Sequence, residues 1–502
     1  MASGRAEPVS DDTASIPGGQ AFEPGPENLE WVHALIMVWA GEEWSRVGEV
    51  ATFDMPGATF SIGRDDDSPG GHRRARWVRQ RPAENGYTPP LVSTATSRDQ
   101  LLVTSRVYGL DLENVGRHPM IVDGQRVERC RLEEGSFVQI QGQFLFRCIR
   151  RPLRMAPARH FAEKYMGPFG EANAFGMVGE TPEMWTLLEH LAFAAKVPDH
   201  VLLRGQTGTG KESAAEAIHA MSLNALGPFI SMSIGNIPRS LFEDALFGHL
   251  KDYPQAGMRA KKGAVGEADG GSLFLDEIAD LTFDAQTALL RLLDQGEYLT
   301  LGGEGRLRSE LRLIGAMNRE LEALKLDLRK RLSTHIDLPP LTLRRDDVPL
   351  ILRHLLKRAH ARTPGLTQHL VTPQADGTVE VVPPVWFVER LMRQETYEGN
   401  VRDLIAAVNQ LLEQATPPPG PAGAKAGGAE TAGAGAGSKD AGEAREGAGD
   451  EARGALLTKD EVEWCLARTG GNVSAAAKAA GVSRPAFYRA MSRLGVKRGK
   501  GE

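Results

Sequence analysis

Three cysteines in 502 residues (Cys130, Cys148 and Cys465) are too few and too scattered for a disulfide framework or a zinc site, which suits a reducing compartment. No apolar run approaches ~18 residues, so no segment is expected to span a membrane. The amino terminus lacks an apolar signal core, and a cytoplasmic location is the expectation. An excess of positive charge is also missing. The net charge of −6 rules out a uniformly cationic nucleic-acid coat, so charge has to be read locally. Apolar residues, by contrast, make up 41%, enough for sizeable cores. The length suits about three domains at roughly 150 residues each.

The stretch from Val201 to Ile278 organises the chain. An apolar strand, Val201-Leu202-Leu203, runs into Gly205-Gln206-Thr207-Gly208-Thr209-Gly210-Lys211-Glu212 and then an alanine-rich helix. Such a loop lets backbone N–H groups converge on phosphate oxygens, the helix N-terminus adds its dipole, and Lys211 supplies a mobile charge. Glu212 stands where the strict phosphate-loop pattern has Ser or Thr. A second apolar strand, Ser272-Leu273-Phe274-Leu275, ends in Asp276-Glu277, where a parallel sheet would place a metal-associated carboxylate and a base for water.

Residues 1–28, rich in Pro, Gly, Ser and acid, read as a disordered leader. From 29 to 150 short β-like runs split by Gly and Asp predict an all-β sandwich. Ser61-Ile62-Gly63-Arg64, Ser97-Arg98-Asp99-Gln100, Asn114 and Leu132-Glu133-Glu134-Gly135 fall at intervals that resemble a forkhead-associated (FHA) domain, a sandwich whose loops hold a phosphothreonine peptide. The resemblance implies that Arg64, Ser97, Arg98 and Asn114 meet the phosphate and its flanking backbone. An Arg fork with a hydroxyl and an amide suits a dianion. The family's His after the loop Ser is Gln100 here, and the basic run from His72 to Arg81 reads as a solvated loop.

Residues 151–174 read as a connector, and 175–415 alternate helix and strand patterns, an α/β architecture closing on a helical lid. Leu246-Phe247-Gly248-His249, Asn318, Leu338-Pro339-Pro340-Leu341 and Gly399-Asn400-Val401-Arg402 complete a resemblance to the AAA+ domain of bacterial enhancer-binding proteins, the activators of sigma-54 RNA polymerase. In that family Glu is normal at position 212. The resemblance implies ATP and Mg2+ as cofactors, Asp276 on the metal, Glu277 polarising water, Asn318 sensing the terminal phosphate, and Arg402 on the nucleotide. Family members form hexameric rings, so Arg331 would reach a neighbour's site in a homo-oligomer. Three positions depart from the family: Asp252-Tyr253-Pro254-Gln255-Ala256-Gly257 replaces the Gly-Ala-Phe-Thr-Gly-Ala loop that grips sigma-54, Ser233 replaces an Asn that restrains the Glu, and Lys325 replaces a second arginine. Lys cannot reproduce a guanidinium fork. Hydrolysis and sigma-54 contact therefore stay open, and an ATP-binding regulator or inhibitor that does not remodel polymerase is the alternative, with a phosphopeptide-binding adaptor as a third.

Residues 416–454 are Pro, Gly, Ala, Glu and Lys with almost nothing apolar, a flexible tether. Residues 455–502 read as three short helices, with Gly481-Val482-Ser483 turning into the last, an all-α helix-turn-helix. Between Val482 and Gly501 lie six Lys or Arg and no acid, a local basic footprint. Gly470-Gly471-Asn472-Val473-Ser474 with Gly481-Val482-Ser483-Arg484 and Phe487-Tyr488-Arg489 resembles the Fis-type DNA-binding domain of the same activators. The resemblance implies double-stranded DNA as partner. Arg484, Pro485, Ala486 and Arg489 would face the groove, and Tyr488, Arg493 and Lys497 the phosphates.

Overall fold

The computed structural model describes residues 30–82, 85–93, 95–415, 459, 462–463, 466, 472–479 and 484–496. The leader, the 416–454 tether and Lys497 lie outside them. The first unit is a sandwich of two sheets. The larger has eight strands in the order 125–127, 120–122, 137–140, 144–152, 31–40, 50–53, 77–80, 85–87. The smaller has five, in the order 129–132, 109–114, 101–106, 59–62, 73–74. Side chains alternate across a strand. In Trp31–Ala40, Leu35 and Met37 enter the core between the sheets, where Phe53, Trp77 and Phe146 also lie.

The opposite face of that strand is not solvated. Ala34, Ile36 and Val38, with Trp44, Leu145 and Ile149, join Leu350, Ile351, Trp386 and Phe387 of the lid in one continuous core. A ten-residue strand that is apolar on both faces is therefore explained by two partners, one on each side. Polar contacts seal the joint. Trp39 Nε1 donates to Pro383 O at 2.8 Å, Trp44 N to Gln374 Oε1 at 2.7 Å, and Ala375 N to Glu42 O at 2.7 Å. Gln374 and Ala375 belong to the turn of a small hairpin, Val371–Pro373 with Val379–Val381, that leans onto the sandwich.

The basic run is not a solvated loop. Arg74 is half-buried and donates to Arg98 O at 2.9 Å and Asp67 O at 2.7 Å; Arg79 pairs with Glu49 at 3.2 Å and Arg81 with Glu180 at 3.0 Å. Fixed carbonyls and carboxylates around these guanidiniums turn the run into struts. Residues of the 151–174 connector are packed too. Met155 and Phe161 are buried with Trp185, and Tyr165 lies 5.2 Å from Phe175, ring centre to ring centre.

The second unit holds a five-stranded parallel sheet in the order 229–233, 272–276, 312–317, 201–204, 334–337. Helices 182–196 and 211–221 cover one face, and 283–295 contributes to the other. The lid follows as Val348–Arg362, Val385–Arg393 and Val401–Ala415. Several histidines are buried or half-buried here. His200 Nδ1 accepts from Leu313 N at 3.1 Å, and burial, then Arg312, hold its pKa below the usual value; His219 and His335 are also lowered, first by burial. Protons then bind the unfolded chain more readily than the folded one, so stability is full above about pH 6.5 and is lost as pH falls below it. The melting temperature is expected to drop by on the order of several degrees between pH 7.5 and 5.5, and His200→Gln to flatten that slope.

Candidate functional site

Val201–Arg204 lies between two parallel neighbours, and its carboxyl end opens into the glycine loop. Gly205 N donates to Met317 O at 3.1 Å, which sets exposed Asn318 beside the loop at the end of the next strand. Thr209 Oγ1 donates back to Gln206 O at 2.9 Å and tightens the turn. Gly208 and Gly210 adopt φ of +78° and +99°, conformations that side chains rarely take. Helix Lys211–Met221 starts directly after Gly210, so its free N–H groups face the loop, with exposed Glu212 in its first turn. Lys211 Nζ curls over Gly205 O at 3.1 Å and Gln206 O at 3.3 Å. Burial pushes its pKa down and Arg402 adds to that, while Asp276 and Glu277 oppose it. Those charges therefore share one field. A cation resting on its own loop carbonyls suits an anionic guest.

Asp276 ends strand Ser272–Asp276, in register with Ser233 on the neighbouring strand, and its Oδ1 accepts from Glu277 N at 3.0 Å. Glu277 sits at φ +59°, a strained setting for a non-glycine residue and one found at functional sites. Its carboxylate rests on Gly235, where an added Cβ would lie 1.9 Å from Oε2. Gly235 was missed in the sequence, because a lone Gly in a Ser-Ile-Gly-Asn turn carries no signal of contact with a distant Glu. Arg319 anchors the turn after Asn318 through Asp280 at 2.7 Å. Arg402 is exposed and brings its Cγ to 3.4 Å from the position of a Cβ on Gly208. A cavity of about 450 Å³ lined by His200, Gly270 and Arg312 includes neither the glycine loop nor Asp276, Glu277, Asn318 or Arg402.

Arg331 lies elsewhere. It ends helix Leu326–Arg331, its Nε is paired with Asp294, and it is half exposed. Lys325 caps the same helix with Nζ over the Phe283 ring and bonded to Thr287. The segment from Asp252 to Gly257 is a closed turn. Leu250 N donates to Leu301 O at 3.1 Å, Asp252 N to Met258 O at 2.9 Å, and Gly257 N to Asp252 Oδ1 at 2.7 Å. Tyr253 lies against Gly302.

On the sandwich, Arg64 N donates to Ser97 O at 3.1 Å, and Gly63 lies so close to Arg98 O that a Cβ would stand 1.9 Å away. Arg64, Ser97 and Arg98 are therefore neighbours. The Asp65 carboxylate lies 3.9 Å from Arg64 and 3.7 Å from Arg98, so both guanidiniums flank one anionic group. Ser97 Oγ accepts from Arg117 N at 3.0 Å, which leaves its own proton to donate. Asn114 is half-buried, and its Oδ1 accepts from buried Gln100 at 2.8 Å while its Nδ2 donates to His118 O at 3.1 Å, so the amide braces the loop and keeps its second Nδ2 hydrogen.

In the last unit, Val473–Ala479 and Arg484–Leu494 pack around Val462, Leu466, Phe487 and Met491. Arg484, Pro485, Tyr488, Arg489 and Arg493 are exposed. Ala486 is corrected. It is 2% exposed, because it follows the helical stripe that packs with Phe487 and Ala490, and it does not face outward.

Residues 177–341 match the Sigma-54 interaction domain, and residues 459–494 match the bacterial regulatory protein, Fis family. The chain is 31% identical to the DNA-binding transcriptional regulator NtrC of Salmonella typhimurium, over 68% of this chain and 75% of that one. It is 30% identical to the NtrC of Klebsiella pneumoniae, over 70% and 80%. Among solved structures, NtrX from Brucella abortus in complex with ADP superposes with a TM-score of 0.43 at 26% identity, over 64% and 70%. With this identity and coverage, the chain belongs to the NtrC-like family of sigma-54 transcriptional regulators, with a Fis-type helix-turn-helix for DNA.

Proposed function

We propose that the chain is a cytoplasmic, ATP-binding, sequence-specific DNA-binding regulator that hydrolyses ATP in a homo-oligomeric ring and takes a phosphothreonine protein as its input. The observation that carries the reading is the convergence of the glycine loop, Asp276, Glu277, Asn318 and Arg402 at the carboxyl ends of the central strands. The loop fits a nucleotide phosphate, with Lys211 bonded to the loop carbonyls of Gly205 and Gln206. Asp276 would hold Mg2+, with the remaining ligands supplied by phosphate oxygens and water. That ion would neutralise charge on the phosphates. Glu277 would orient water, and Arg331 would leave Asp294 for a neighbour's site. The exposed Arg face of Arg484–Leu494 supports DNA binding. ATP turnover across a protein concentration series tests the ring. Specific activity that rises with concentration supports it, and binding without turnover at any concentration overturns it.

The closed turn at Asp252–Gly257 favours a second reading for polymerase contact. Pinned to Leu301 and Gly302, it is no open loop for gripping sigma-54, and the protein would then act at DNA using ATP for assembly. Activation of a sigma-54-dependent promoter fusion would remove that reading.

For the input, the FHA reading is supported by the Arg64, Ser97, Arg98 cluster around the Asp65 carboxylate. Arg64→Ala is expected to weaken phosphothreonine-peptide binding by about tenfold to a hundredfold, the range for one charge-assisted bond. Fluorescence anisotropy with phosphorylated and unphosphorylated peptide checks it. Equal affinity for the two would discard the phosphothreonine input.

A further inference from the structure

The lid enters its last helix, Val401–Ala415, through Gly399 and Asn400. The side chain just before a helix ordinarily turns back onto the first free backbone N–H groups. Here Asp403 N reaches only the Asn400 carbonyl, at 3.1 Å, and the capping carboxylate is that of Asp403, which accepts from Gly399 N at 2.9 Å. The Asn400 amide is wholly buried and points the other way. Its Nδ2 donates to Thr207 O at 3.0 Å and Gln206 Oε1 at 3.2 Å, both in the glycine loop. Its Oδ1 accepts from Leu341 N at 2.7 Å, where the chain leaves the sheet for the lid. The backbone is held at φ +51°, a setting Asn tolerates better than most residues. Loop and lid also touch directly. Val401 N donates to Gly208 O at 3.3 Å, and a Cβ on Gly208 would stand 2.0 Å from Gly399 O.

We propose that Asn400 is the positioning residue that joins the glycine loop to the lid, so that an anion seated in the loop is felt by helix Val401–Ala415. The inference rests on the nucleotide reading above. Three bonds from one buried amide tie three segments: the loop, the exit of the sheet and the start of the helix. A phosphate that fixes the loop N–H groups also fixes Thr207 O and Gln206, and through Asn400 the two ends of the lid. Arg402, two residues on, is carried with them. Both donor hydrogens of this buried amide go to Gln206 and Thr207, exposed residues of the phosphate loop.

Hydrogen exchange on the full chain, with and without ADP, tests the link. In the unaltered chain ADP is expected to slow exchange in segments 203–215 and 398–412 alike. Asn400→Gly keeps the positive φ and removes the amide. It is expected to bind ADP about tenfold more weakly, the loss of about 1 kcal/mol or slightly more in hydrogen bonding. At saturating ADP the protection of segment 398–412 should then fall well below that of 203–215, leaving what Arg402 and the Val401–Gly208 bond supply. Asn400→Asp keeps the acceptor for Leu341 N and loses both donated bonds, so it isolates the loop side should the glycine variant fold poorly, and the same split is expected. Undiminished protection of both segments with unchanged affinity in either variant, even with a lower melting temperature, would make Asn400 a purely structural residue and overturn the proposal. No ADP protection in the unaltered chain would instead fail the nucleotide reading itself, and this inference with it.

Discussion

Glu277→Gln is expected to cut ATP turnover by about a hundredfold to ten-thousandfold, the usual share of a positioned acid–base group, while ATP still binds. The geometry makes the substitution clean. Gln has the volume of Glu, and Gly235 beneath the carboxylate leaves room for no larger change. The backbone at φ +59° stays equally strained in both forms, so what is lost is the negative charge proposed to orient water. Asp276, the proposed metal-side carboxylate, is untouched and keeps its bond from residue 277 N. Phosphate release and titration with a fluorescent ATP analogue separate the two effects. A variant that loses binding and turnover equally would show that Glu277 holds nucleotide instead of activating water. One that keeps full turnover would move the catalytic base elsewhere.

How much of this could be read beforehand differs by link. The parallel sheet and its loop were legible, because a glycine loop, an apolar strand ending in Asp-Glu and a later strand ending at Asn318 can be ordered from sequence alone. The core of the sandwich was legible from short β runs. Its outer face was not. Trp31–Ala40 shows no polar alternation, which in an antiparallel sheet signals that both faces are covered, yet the covering element lies more than 300 residues away in Leu350, Trp386 and Phe387. The arginines from Arg74 to Arg81 misled for the same reason. A charge run reads as solvated until the distant acids and carbonyls that hold it, such as Glu180 for Arg81, are known. Ala486 was assigned an outward role by motif position, and its surroundings turned it inward. Asn400 carried a motif position but no hint of its three partners, because positive φ and buried amides are properties of the fold.

Arg353→Ala is expected to loosen the joint between sandwich and lid at a cost of about 3–5 kcal/mol, typical of breaking a buried charged network. Arg353 is 3% exposed on helix Val348–Arg362, and burial lowers its pKa. It donates to Ser45 O at 2.8 Å and Trp44 O at 3.4 Å in the sandwich, and to Phe169 O at 3.1 Å in the connector. Truncation would strand those carbonyls in a joint that Leu350 and Gly48 close so tightly that a Cβ on Gly48 would lie 2.9 Å from Leu350. Water could replace them only by opening it. Another ion pair across the same joint, Arg393 with Asp123 at 2.8 Å, has partners 40% and 61% exposed, so Asp123→Ala should cost below about 1 kcal/mol. The contrast is the test. Arg353→Ala should speed hydrogen exchange on both sides, in 41–48 and in 371–381, whereas Asp123→Ala should leave both unchanged. Faster exchange in the lid alone would mean that the apolar core of Ile36, Trp44 and Trp386 carries the joint by itself. Faster exchange on both sides would make the sandwich and the lid one mechanical body, in which a ligand on Arg64 and Arg98 could reach the glycine loop by moving the lid.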